Sequence, residues 1–310
     1  MSKIAIFHIL YLGGKLPKKQ GDIKLATFYN QATLTFGGRV TNSNITEGEI
    51  VSGLTLTKTA VNTSYGVGDG IVYAITFSNA DATAKTNLTL IDDLGAYSLP
   101  GGTEQLVPLT YVEGSILYYQ NGVLQASPTV QADNSLIISG IEVPAGGNGI
   151  ILYEVRANEF APVSQGSQIV NAVTVGGEGL CENLSANAEI GTRDEPNLSI
   201  AKAATPDTVT CGEQITYTFI IQNSGNTEVV ATDNLLVSDL FNPVLSNITV
   251  ALNGTSLVEG IGYTYDEASG QFTTIGGAIP VPAATYTRDP VTGALTSTPG
   301  VAILTITGTI

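Results

Sequence analysis

The chain has 310 residues, is 43% hydrophobic but only 13% charged, and sets 12 Lys and Arg against 27 Asp and Glu for a net charge of −15. A surface this acidic repels phosphate backbones and anionic lipid headgroups, which argues against nucleic acid and membrane surfaces as partners. Two cysteines, Cys181 and Cys211, are too few for a disulfide scaffold or a zinc site; one bridge between them and two small buried thiols both fit their positions.

Residues 1–27 read as an N-terminal extension. Its apolar run from Ile4 to Leu12 is short for a secretory core, contains the single histidine, His8, and has no small-residue cleavage site. The following "KLPKKQ" is the one cationic cluster of the chain. No stretch approaches the ~18 apolar residues of a membrane-spanning helix, so no membrane insertion is expected. From there on, apolar residues come in short β-branched runs broken by Gly, Asn and Pro, without long helical periodicity. The expected class is all-β.

"FYNQATLTF" (28–36) alternates as a strand, with Phe28, Asn30, Ala32, Leu34 and Phe36 on one face, and residues 37–51 follow as a connector. Two copies of one pattern come next. "LTLTKTA" (54–60) returns as "LSIAKAA" (198–204), "GDGIVYAITFSN" (68–79) as "GEQITYTFIIQN" (212–223), and "NLTLIDD" (87–93) as "NLLVSDL" (234–240). Copy one, residues 52–177, ends with "VPAGGNGIILYEVRAN" (143–158) and then "GSQIVNAVTVGGEG" (166–179). A linker is expected at 178–196. Copy two, residues 197–310, contains the counterpart of the first of these strands in "STPGVAILTITGTI" but none for the second. The missing piece resembles the segment at the front: "YNQATLTFGG" parallels "VNAVTVGG" with Asn30 on Asn171, and "SNITEGEI" (43–50) parallels "ENLSANAEI" (182–190).

These motifs together resemble the conserved repeat domain of bacterial surface proteins, a prealbumin-like or immunoglobulin-like β-sandwich. They are also similar to collagen-adhesin-type domains, in which a Lys and an Asn are joined by an isopeptide bond. The resemblance implies a non-enzymatic, extracellular or envelope-surface structural role at a bacterial cell surface; an envelope-type chain without a clear export signal fits release by lysis of its producer, as for a coat or appendage on a spore surface. The expected architecture is two tandem immunoglobulin-like β-sandwich domains, the second lacking its last strand, with an N-terminal donor strand.

Alternation gives the resemblance a chemical form. Leu54, Leu56 and Lys58 share a strand face, as do Leu198, Ile200 and Lys202; Leu88, Leu90 and Asp92 line up, as do Leu235, Val237 and Asp239; so do Ile169, Asn171, Val173 and Val175. Each copy thus places a Lys, an Asp and an Asn on core-facing positions. A buried Lys tends to lose its proton and a buried Asp to keep one, so amine and carboxamide can condense with the carboxyl as acid and base. The expected sets are Lys58, Asp92 and Asn171 within one chain, and Lys202, Asp239 and Asn30 between chains. Asp93 falls on the opposite face to Asp92. Snorkelling lysines and turn-forming Asn and Asp are the structural alternative.

A sandwich open along one edge is a template for an added strand, and an open head-to-tail contact makes a filament. The expected function is therefore a self-assembling fibre subunit, partnered by its own copies and by a surface anchor protein. The competing expectation is a monomeric adhesin closed by its own strand, since a connector over 37–53 reaches ~58 Å. Enzymatic chemistry is not expected. The lone histidine stands in the extension, and no phosphate-binding loop, dinucleotide fingerprint or zinc-helix motif is present. No cofactor or metal is expected, because acidic pairs such as Asp92–Asp93 lack the spaced loop of a calcium site.

Overall fold

The computed structural model describes residues 25–36, 38–51, 53–99, 105–180 and 182–310. Residues 1–24 of the N-terminal extension, with His8 and the cationic cluster, and Cys181, one half of the candidate Cys181–Cys211 pair, lie outside the described residues. Cys211 itself is exposed with a free thiol.

Regular structure among the described residues is β-strand, apart from one 3₁₀ turn at Ala231–Asp233. The cause is visible in Gly70–Asn79, where Ile71, Tyr73, Ile75 and Phe77 are buried and the intervening residues face outward. Burying such side chains contributes roughly 1.5–3 kcal/mol each. The strands gather around two hydrophobic cores, one built from residues 54–190 and one from residues 215–306.

The first core lies between two sheets. One runs Val123–Leu124, Leu117–Gln120, Asn148–Ala157, Gly70–Asn79, Leu54–Ala60. The other runs Thr129–Ala132, Leu136–Val143, Lys85–Asp92, Gln168–Glu178, Leu184–Thr192, Ser64–Tyr65. The last of these includes what the sequence presents as a linker: within 178–196, Leu184–Thr192 pairs antiparallel with the Asn171 strand and buries Ala188 and Ile190. Alternating Ala188 and Ile190 extend the sandwich past residue 177.

Around the second core these five strands recur in the same order, Thr255–Ser256, Ser246–Leu252, Gly300–Thr309, Gln214–Asn223, Leu198–Thr205, without a counterpart of Leu109–Tyr111, which in the first core also pairs with Asn148–Ala157. The facing sheet is shorter. It runs Tyr263–Asp266, Gln271–Thr274, Ser238–Leu240, and no strand among the described residues pairs with the far edge of Ser238–Leu240. That edge is where the Asn171 strand sits in the first core. In consequence Leu198, Ile200 and Lys202, expected to face a core, are exposed: Leu198 is 39% accessible where Leu54 is 2%.

The front segment also departs from expectation. Residues 28–36 form two strands, Leu25–Asn30 and Thr33–Phe36, and the connector folds back onto both as Arg39–Asn42 and Thr46–Val51. Ser43 bridges the irregularity between the two ladders: its amide bonds the Ala32 carbonyl, and its hydroxyl accepts from the Ala32 amide. Gly38, at φ +77°, turns the tip, a conformation that a β-carbon would strain. Asn30, Ala32, Leu34 and Phe36 are exposed, and Phe28 lies in the first strand. The hairpin occupies neither core.

Two asparagines pin matching corners. Asn79 is buried and donates to the carbonyls of Thr83, Val143 and Pro144. Asn223 is buried, donates to those of Thr227 and Pro282, and accepts from the Asn197 and Gly225 amides. The two cores also touch. Asn226 donates to Asp194 at 2.7 Å and to the Val163 carbonyl at 3.1 Å. The hairpin Thr285–Arg288/Leu295–Thr298 reaches the first core through Arg288 to the Tyr97 hydroxyl, 3.0 Å, and the Leu295 amide to the Glu159 carbonyl, 2.8 Å. Asn223→Ala strands several buried backbone groups at about 1–3 kcal/mol each. The expected result, by calorimetry, is a lower melting temperature for the second core alone.

Candidate functional site

Lys58, Asp92 and Asn171 come from three strands. Lys58 lies in Leu54–Ala60 at the edge of one sheet; Asp92 ends Lys85–Asp92 in the facing sheet; Asn171 lies in the next strand, Gln168–Glu178, two residues from Val173, which is paired with Asp92. Alternation turns all three inward. Their exposures are 4%, 0% and 0%.

The lysine and aspartate meet directly: Lys58 Nζ donates to Asp92 Oδ2 at 2.7 Å, with both side chains fully buried. The same oxygen accepts from the Tyr153 hydroxyl, and Asp92 Oδ1 accepts from the Leu94 amide at 3.0 Å. The Lys58 ammonium also lies 5.0 Å from the centroid of the Tyr73 ring, which stacks on Tyr153. Burial lowers the pKa of Lys58, against the opposing pull of Asp92. Burial likewise raises the pKa values of Tyr73 and Tyr153, with the neighbouring Asn171 amide offsetting a little.

Asn171 is the anomaly. Neither its Oδ1 nor its Nδ2 has a hydrogen-bond partner, and neither does the Tyr73 hydroxyl. The amide lies close enough to the Tyr73 and Tyr153 hydroxyls to lower their pKa values, yet makes no hydrogen bond of normal geometry with either, so its polar atoms are only weakly satisfied within the core. Asp93 points to the other face, as alternation requires, and accepts from the Ala172 and Gly95 amides.

The second core repeats half of this arrangement. Lys202 bonds Asp239, but the pair is open, the side chains 39% and 19% accessible. The Lys202 ammonium is caged by Tyr217, Phe219 and Phe241, with ring centroids at 4.5, 5.3 and 5.3 Å. Strand pairing sets Ile306 opposite Tyr217 where Tyr153 stands opposite Tyr73, so no tyrosine takes the place of Tyr153 there. Asn30, the expected partner, lies in the exposed hairpin and is not brought to Lys202.

Tyr73 and Tyr153 are the site residues that the sequence reading passes over. Tyr73 carried a signal, since it falls on the buried face of "GDGIVYAITFSN" and Tyr217 stands at its place in the second copy. Tyr153 is placed by cross-strand register, which no local pattern reveals. Among the described residues no group of His, Cys, Asp and Glu is arranged to hold a metal ion, and no helix is long and apolar enough to cross a membrane.

No protein-family profile and no curated protein sequence matches the chain. Solved structures similar to it include β-sheet modules of bacterial surface proteins. The major pilin subunit BcpA of Bacillus cereus is 12% identical over 90% of this chain and 81% of its own, at a TM-score of 0.33. The pilus backbone RrgB of Streptococcus pneumoniae is 10% identical over 79% of this chain and 55% of its own, at 0.32. The collagen-binding subdomain ACE19 of the Enterococcus faecalis surface protein ACE is 7% identical over 44% and 96%, at 0.30. At TM-scores this low the likeness carries no functional weight.

Asp92→Ala leaves a buried amine without its carboxylate and is expected to cost about 3–5 kcal/mol of stability in denaturant titrations. An Asn171→Ala variant leaves the Lys58–Asp92 pair in place. The folded pKa of Lys58 lies below the ordinary 10.5, so between the two values only the unfolded chain holds the extra proton and stability rises with pH. The denaturant midpoint of that variant is expected to rise with pH on the approach to 10.5.

Proposed function

We propose that the chain is a structural subunit of a bacterial surface fibre, built head to tail, in which the N-terminal strand of one copy completes the second core of the next. The single observation that carries this reading is the contrast between two equivalent edges. The Asp92 strand pairs with the Asn171 strand, whereas among the described residues the Asp239 strand has a free edge beside an exposed lysine. An unpaired edge with apolar residues around it favours an incoming strand, and the sequence of 28–36 is a match for the absent one. Donor and acceptor are different surfaces, so the contact is heterologous and propagates.

The first core supplies the template for a covalent lock. Neutral Lys58 Nζ attacks Asn171 Cγ; the new Nζ–Cγ amide forms, the Cγ–Nδ2 bond breaks, and Asp92 carries a proton from the amine to the departing ammonia. No oxidant or cofactor is needed. The low Lys58 pKa and the unpaired Asn171 amide support this step. Lys202, Asp239 and Asn30 of a neighbouring copy would repeat it across the junction. Such a bond closes a loop of roughly a hundred residues in the first core, worth about 4–5 kcal/mol by loop entropy.

The pairing of the connector with the donor bears on self-closure. Residues 39–51 lie back along 25–36 rather than stretching out, and the hairpin joins Leu54 within a few residues. The reach that an extended connector gave is lost, which supports exchange between copies over closure within one. The role is structural rather than enzymatic, and the spore surface is the location we favour for it.

A denaturing gel of boiled, reduced protein, with intact mass on each band, tests the reading. A ladder of multiples with ammonia missing from each is expected, and Asn30→Ala should collapse it to a monomer lacking a single ammonia. A lone monomer lacking two ammonias would mean self-closure instead.

A further inference from the structure

We propose that the donor is the whole hairpin 25–51, so that the acceptor groove on the neighbouring copy receives two strands, with Thr46–Val51 seated against the Lys202 strand. This rests on the head-to-tail reading above and specifies its interface.

The gap in the second core is two strands wide. Beyond Lys85–Asp92 the first core adds Gln168–Glu178 and then Leu184–Thr192, and it is Leu184–Thr192 that packs against the Lys58 strand of the opposite sheet. One added strand beside Ser238–Leu240 would fill only the place of Gln168–Glu178. The Lys202 strand would keep its open side, and all eight of its residues are exposed. Closing it takes a counterpart of Leu184–Thr192.

The hairpin supplies that counterpart. Thr46–Val51 pairs antiparallel with Leu25–Asn30, as Leu184–Thr192 pairs with Gln168–Glu178. The sequences agree, "NITEGEI" (44–50) with "NLSANAEI" (183–190), which sets Ile50 on the buried Ile190 and Gly48 on Ala188. Each hairpin then runs into its lysine strand, from Val51 to Leu54 and from Thr192 to Leu198. The free hairpin pairs Asn30 with Thr46, where the first core pairs Asn171 with Ala188. Matching the first core takes a two-residue slide, which keeps every side chain on its face.

The second strand also governs the chemistry. Lys58 is enclosed where its strand is covered, and Lys202 is open where the cover is absent. An exposed ammonium is hydrated and charged and does not attack an amide. Docking of Thr46–Val51 removes water from Lys202 and so restricts bond formation to a fully seated junction.

Two variants of the full chain test this. In the first, residues 46–51 are replaced by a Gly-Ser sequence of equal length, which keeps the donor strand and its tether. The cross-linked ladder is expected to fall at least about tenfold while the first core melts unchanged; a ladder of wild-type yield overturns the proposal. In the second, Leu198→Cys is labelled with a thiol reagent, with Cys211 as internal control. The new thiol should react in monomer and be shielded in assembled protein while Cys211 still reacts; equal labelling in both forms overturns the two-stranded donor. If wild-type protein itself yields only monomer, the head-to-tail reading fails first, a result distinct from either.

Discussion

Everything in this chain turns on a lysine amine held between two sheets. Placing Lys58 at an inward position of an edge strand obliges the core to supply a carboxylate, and Asp92 does so from the facing sheet with both groups out of water. Such a pair gives little net stability, because the desolvation penalty offsets most of the attraction. It does fix which strands face each other, and it demands that whatever covers the pair be well seated. The Asn171 strand and its neighbour provide that cover in the first core. In the second, the same demand is present and is met only in part, by three aromatic rings around Lys202.

The paired cores form a natural control within one chain. Five strands of the first core's Lys58 sheet recur in the same order in the second, and the corner asparagines make equivalent bonds. The difference that bears on the lysines lies on one side of the facing sheet. Exposure of Leu198, Ile200 and Lys202 therefore reflects missing neighbours rather than a different fold, since the equivalent residues of the first core are covered.

Much of this was legible in the sequence because β-structure writes its faces into every second residue. The inward placement of Lys58, Asp92 and Asn171 followed from alternation, as did the outward turn of Asp93. Pairing between distant strands left weaker traces. Residues 184–192 read as linker because two of their inward positions are only alanine, Ala186 and Ala188, between Leu184 and Ile190, and their fit depends on the adjacent strand. The fold-back of 39–51 was hidden for a similar reason: its pairing partner is the strand before it, and a turn at Gly38 does not say which strand the chain returns to. Tyr153 owes its position to the register of Asn148–Ala157 against Gly70–Asn79, a long-range property that composition does not encode.

The hairpin Thr285–Arg288/Leu295–Thr298 has a mechanical consequence. It staples the joint between the two cores through Arg288 and Leu295, and the first core has only the short turn 144–147 at the corresponding place. Gly225 tightens the same joint, since a β-carbon there would fall 2.2 Å from the Glu195 carbonyl oxygen. The joint between the two cores therefore resists hinging, and a load applied to one core is passed to the other through these bonds rather than through residues 193–197 alone.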